Sequence, residues 1–66
     1  MVSFDKLWIV MKQQKMTKTQ LRNAAKLSSS TFSKLTHNKF VSLDVLVRLC
    51  RVLNCQLSDI CTIVEK

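Results

Sequence analysis

Sixty-six residues provide for a single domain, and eleven Lys and Arg against four Asp and Glu leave a formal net charge of +7. A chain this short buries only about 60% of the surface its unfolded form exposes, so it has little core to give up for an enclosed substrate cavity, which argues against an enzyme. Apolar residues make up 47% of the chain, too many for a disordered tail.

The sequence contains no Gly and no Pro, so element boundaries are read from caps and from apolar periodicity. Ser3 is the expected cap of a first helix whose stripe is Phe4, Leu7, Trp8 and Met11, at i, i+3, i+4, i+7 spacing. Gln13, Gln14 and Lys15 are expected to let it fray into Met16. Thr17 is the next N-cap, opening a helix from about Lys18 to Lys26 that turns Leu21, Ala24 and Ala25 inward. Ser28, Ser29 and Ser30 interrupt the pattern, because serine hydroxyls compete for backbone hydrogen bonds and favour caps and turns. A third short helix runs from about Ser29 to His37 with Phe32 and Leu35 inward, and Asn38 is the expected left-handed closing residue. The fourth starts after Ser42 and runs to about Leu53 with Leu43, Leu46, Val47, Leu49, Cys50 and Leu53, apolar on more than one face as a central core helix requires. A fifth, begun by Ser58 or its neighbours, carries Leu57, Ile60, Ile63 and Val64. The expected fold class is therefore all-α, five short helices and no sheet.

Charge is distributed unevenly along this plan. No acidic residue occurs from Lys6 to Leu43, whereas Lys6, Lys12, Lys15, Lys18, Arg22, Lys26, Lys34 and Lys39 all fall there. One basic half gives a positive field that attracts polyanions. No apolar run approaches the roughly 18 residues of a membrane span, and no cleavable leader is visible, so a cytoplasmic location is expected. Cys50, Cys55 and Cys61 have C-x4-C-x5-C spacing without the paired C-x2-C of zinc knuckles; they read as a small core hydrophobe and free thiols, and neither metal nor cofactor is expected.

Function concentrates in Thr17 to Lys39, TKTQLRNAAKLSSSTFSKLTHNK. Two helices of about two turns joined by a few residues form a helix-turn-helix, here about residues 17–37. The second helix turns Ser29, Ser30, Ser33, Lys34 and His37 away from Phe32 and Leu35. A major groove about 12 Å wide admits such a helix, and small side chains permit close approach.

Residues 17–60 resemble the Cro/phage-repressor helix-turn-helix family, also called the XRE family. The resemblance rests on Thr17, Leu21, Leu27-Ser28, Ser30-Thr31-Phe32-Ser33-Lys34-Leu35 and SLDVLVRLCRVLNCQLSDI from Ser42 to Ile60. It implies a small transcriptional regulator, of repressor type, binding double-stranded DNA. Carried over by position, the DNA-binding set is Thr17, Lys18, Ser28, Ser29, Ser30, Ser33, Lys34, His37 and Lys39. Lys18, His37 and Lys39 are implied backbone contacts and Lys34 the principal base reader, since Lys donates to guanine O6 and N7. Ser28 serves equally as turn-former and DNA contact. The chain departs from the family at Arg22, where a small residue is usual, at Lys26, where Gly is usual in the turn, and at Thr36, where Glu is common.

Trp8 reads as core. The apolar residues within 57–64 form the candidate homodimer contact. No nucleophile–base set and no Gly-rich phosphate loop is present, so no small-molecule substrate is expected, and the apolar stripe of the first helix is needed for the core rather than for a membrane. The competing reading is a protein-interaction module, an antitoxin or adaptor, which would show an apolar rather than a basic face over residues 29–39.

Overall fold

The computed structural model describes residues 1–65. In chain order it comprises β1 (Val2–Ser3), α1 (Asp5–Gln13), α2 (Lys18–Ala24), α3 (Ser29–Thr36), α4 (Leu43–Leu53), a short 3-10 turn (Leu57–Asp59) and β2 (Thr62–Ile63). Among the described residues four α-helices are therefore present where five were expected, and a small antiparallel sheet joins the segment before α1 to the segment after the 3-10 turn. Val2 pairs with Ile63 and Ser3 with Thr62. The Val64 amide extends the ladder to the Met1 carbonyl at 2.8 Å.

The fifth helix fails for a local reason and a long-range one. Thr62, Ile63 and Val64 are consecutive β-branched residues, which lose side-chain freedom in a helix and suit a strand. The strand then finds a partner in β1. Of the expected apolar stripe only Ile60 is fully buried; Leu57, Ile63 and Val64 are exposed. The turn is capped by Gln56 rather than Ser58, with the Gln56 amide donating to Asp59 Oδ2 at 2.9 Å. The same sheet displaces the first cap. Ser3 is drawn into β1, so Phe4 becomes the N-cap of α1 and makes no side-chain cap bond.

Hydroxyl caps open the other three α-helices. The Thr17 hydroxyl accepts the Gln20 amide at 3.1 Å while Gln20 Oε1 accepts the Thr17 amide at 2.9 Å, a reciprocal capping box. Ser28 Oγ accepts the Thr31 amide at 3.1 Å and Ser42 Oγ the Val45 amide at 3.4 Å.

All four α-helices close alike, through a left-handed residue and an amide that reaches back five positions. The left-handed residues are Lys15 (φ 58°), Lys26 (φ 56°), Asn38 (φ 55°) and Asn54 (φ 51°). The amides of Met16, Leu27, Lys39 and Cys55 then donate to the carbonyls of Met11, Arg22, Lys34 and Cys50 at 3.1, 3.0, 2.8 and 3.0 Å. Such closures usually recruit glycine, and this chain has none. Asn38 takes the expected conformation. Lys26 does adopt positive φ in the family's glycine position, at a cost of about 1–2 kcal/mol for an L-residue. The segment after α1 is a defined turn rather than a frayed end, and the Gln14 amide side chain bonds the Leu53 carbonyl at the end of α4.

The core draws on every helix: Phe4, Leu7 and Met11 around α1, Leu21 and Ala25 around α2, Leu35 of α3, Val45, Leu49 and Leu53 of α4, with Leu27 and Ile60. In α4 the buried positions are four apart, so Leu43 and Val47 face solvent rather than the core and Val45 takes the inner place. In α2, Ala24 is likewise exposed. Among the described residues, no helix is long and apolar enough to cross a membrane.

Candidate nucleic-acid interface

Residues 25–28 alone separate α2 from α3. Leu27 is buried in that connection and Ser28 caps α3, so the turn both anchors in the core and starts the next helix. Phe32 and Leu35 hold α3 against the body, Leu35 fully buried and Phe32 edge-on to the Trp8 ring at 5.7 Å between centroids. Trp8 is half-buried at the margin of the core and also lies beneath the Lys18 ammonium, 4.9 Å from the ring centre.

With Phe32 and Leu35 inward, helical periodicity places Ser30, Ser33, Lys34 and His37 on one exposed stripe of α3, at i, i+3, i+4 and i+7. Ser29 and Lys39 are also exposed, at either end of the helix. The structure therefore brings Ser29, Ser30, Ser33, Lys34, His37 and Lys39 together on and around α3, with exposed Lys18 at the start of α2 nearby. The hydroxyls of two other residues in the set are already engaged. Thr17 is occupied in its capping box, and Ser28 both accepts the Thr31 amide and donates to Thr31 Oγ1 at 3.0 Å.

The end of α3 is tied down by hydrogen bonds to one carbonyl. Ser33 O receives the His37 amide at 3.1 Å and the Thr36 hydroxyl at 2.8 Å, and it lies 2.8 Å from His37 Nδ1. Since a carbonyl only accepts, Nδ1 carries the proton in this contact, and the imidazole is held across the last turn. Thr36, one of the three departures, thus serves the helix terminus.

Arg22, another departure, is the residue that sequence reasoning undervalued. It is half-buried, and its Nη1 donates to Ser29 Oγ at 2.8 Å across the α2–α3 turn. The available signal was its i, i+4 relation to Lys18, which puts two cations on one face of α2. Among the described residues the only ion pair is Arg48–Asp44, at 2.6 Å on α4, so no carboxylate neutralises the α2–α3 surface. No group of three or more His, Cys, Asp or Glu among them is placed to hold a metal.

Two short helices joined by a capped turn, the second presenting a polar and basic stripe, define a helix-turn-helix protein. The chain belongs to the Cro/C1-type helix-turn-helix DNA-binding domain family, which matches residues 6–66. It is also similar to the crystal structure of the transcriptional regulator VanUg in its Form II, at 43% identity and a TM-score of 0.95, over 98% of this chain and 87% of that one. No curated protein matches the chain.

Proposed function

We propose that this chain is a small DNA-binding transcriptional regulator that reads duplex DNA by laying α3 in the major groove. The observation that carries the reading is the stripe of Ser30, Ser33, Lys34 and His37, exposed on a helix held from behind by Leu35 and lying in a stretch free of acids from Lys6 to Leu43. Lys34 is the base reader, because its ammonium can donate to guanine O6 and N7. Ser30 and Ser33 add short contacts to bases or phosphates, while Lys18, His37 and Lys39 meet the backbone. Ser28 and Thr17 contribute by setting the helices that carry the others.

Membership of a DNA-binding family and similarity to a transcriptional regulator support this function over a protein-interaction module. So does the surface itself, since residues 29–39 expose no large apolar side chain. Regulation by occupancy is the simplest mechanism. Two copies would sit on half-sites about 34 Å apart, one helical turn, and block a cytoplasmic polymerase. Leu57, Ile63 and Val64, exposed around β2, are the proposed homodimer contact.

The test is selection from a random duplex library at about 150 mM salt. A two-fold symmetric motif with half-sites one turn apart is the expected result. Retention without enrichment would remove sequence reading, and failure to bind at that salt would favour the protein-interaction function.

A further inference from the structure

Beside the α3 stripe lies a shallow depression of about 280 Å³ lined by Lys18, Thr19, Arg22 and Phe32. Lys18 and Arg22 bring two cations to it, Thr19 adds a hydroxyl, and Phe32 forms an apolar wall. We infer that this depression is a seat for one phosphodiester of the DNA backbone, with Arg22 as its principal donor and Ser29 as a positioning residue rather than a base reader. The inference rests on the DNA-binding function proposed above and names a contact outside the residue set assigned there.

Three observations converge on Arg22. Its guanidinium is a fork of five N–H donors, and only the bond to Ser29 Oγ at 2.8 Å is made within the protein. The remaining donors have no carboxylate partner among the described residues. Planar donors of this kind match phosphate oxygens in pairs, and a guanidinium is more weakly hydrated than an ammonium, so it suits a partly enclosed site. Arg22 is half-buried, whereas Lys18 and Lys34 are exposed. Its stem is therefore already confined and loses less freedom on binding than a fully solvated lysine.

The consequence for Ser29 follows from the same bond. Its oxygen accepts from Arg22, which ties the hydroxyl to the α2 side of the turn and leaves its O–H able to donate. That O–H can donate to a phosphate oxygen held among the neighbouring cations. The position of Lys18 fits the same seat: its ammonium lies over the Trp8 ring, 4.9 Å from the centre, and bounds the depression on the α1 side. Sequence is then read by Ser30, Ser33 and Lys34, while Arg22 sets how deeply α3 is drawn toward the duplex.

The experiment compares the full chain with Arg22→Ala, Arg22→Gln and Ser29→Ala. Each is titrated with the selected duplex and with an unrelated duplex from about 50 to about 200 mM salt, and each selects its preferred sites from the random library. Arg22→Gln keeps two of the three methylenes and a polar amide but removes the charge, so it tests the seat even if Arg22→Ala does not fold. The expected result is a loss of about tenfold in affinity on both duplexes alike. The slope of log affinity against log salt should shrink by about one unit, as for one lost phosphate contact. Ser29→Ala should select the same bases as the unmodified chain. An unchanged salt slope in Arg22→Gln, or a relaxed preference at one base pair, overturns the seat. A changed base preference in Ser29→Ala overturns its positioning role. If the unmodified chain binds no duplex, the DNA-binding function fails first and the seat with it, whereas failure of the seat alone leaves normal binding and selection by the unmodified chain.

Discussion

The Asn38 side-chain carbonyl accepts the backbone N–H of Phe4 at 2.9 Å, joining the end of α3 to the start of α1. Asn38 itself sits at φ 55° and closes the α3 helix. One residue thus ends α3 and fixes it to the body of the molecule, and it caps an amide that no side chain from α1 reaches. Asn38→Gly should keep the left-handed closure and lose only the hydrogen bond, a cost of about 1 kcal/mol or less. Asn38→Ala loses both, and should cost about 2 kcal/mol in urea unfolding. Equal losses for the two variants would mean that backbone conformation plays no part at this position.

Lys15 and Lys26 occupy left-handed positions that a residue with a Cβ enters at a penalty. Replacing either by Gly should stabilise the fold by about 0.5–1 kcal/mol, since the gain in backbone comfort exceeds the added freedom of the unfolded chain. The urea midpoint should rise with the m-value unchanged. At Lys26 the same substitution also restores the family's usual turn residue, so DNA affinity is expected to fall only by the loss of one exposed charge.

Lys34 and Lys18 should separate by what they do to specificity. Lys34→Ala is expected to cost about 1–3 kcal/mol on the selected site and to relax the preference at one position. Lys18→Ala is expected to weaken all duplexes nearly uniformly and to reduce the salt slope by about one. A uniform loss in Lys34→Ala would remove its assignment as a base reader.

The thiols near the end of α4 yield a pH dependence unrelated to DNA. Burial, reinforced by the neighbouring Cys50, pushes the Cys55 thiol from its ordinary 9.0 up to about 11. The folded state therefore favours the neutral thiol. Above pH about 9 the unfolded chain ionises at Cys55 while the folded chain does not, so stability falls as the pH rises from about 9 to about 11. Urea unfolding at about pH 8 and about pH 10 should show a larger decline for the unmodified chain than for Cys55→Ala. The same neutral thiol should alkylate slowly in the folded protein at about pH 8 and faster once unfolded, because the thiolate is the nucleophile.

What the chain determined by itself lies within windows of a few residues. Thr17, Ser28 and Ser42 cap helices because a hydroxyl needs only an amide three positions on, and Asn38 closes α3 because its side chain tolerates positive φ. The α3 stripe was legible for a similar reason, since an interval of three or four residues fixes which side chains share a face. The order of caps, leucines and turn residues from Thr17 to Ile60 was also enough to suggest the family to which the chain belongs. The pairing of Val2 with Ile63 was not legible, because a 3.6-residue apolar spacing at Leu57, Ile60 and Val64 fits a helix equally well until a second strand arrives from the other end of the chain. Nor were the bonds of Asn38 to Phe4, Gln14 to Leu53 and Arg22 to Ser29. Each depends on where packing around Leu21, Leu35, Leu49 and Leu53 sets one helix against another. A hydrogen-bond partner beyond the next turn is chosen by that packing, and no local pattern records it.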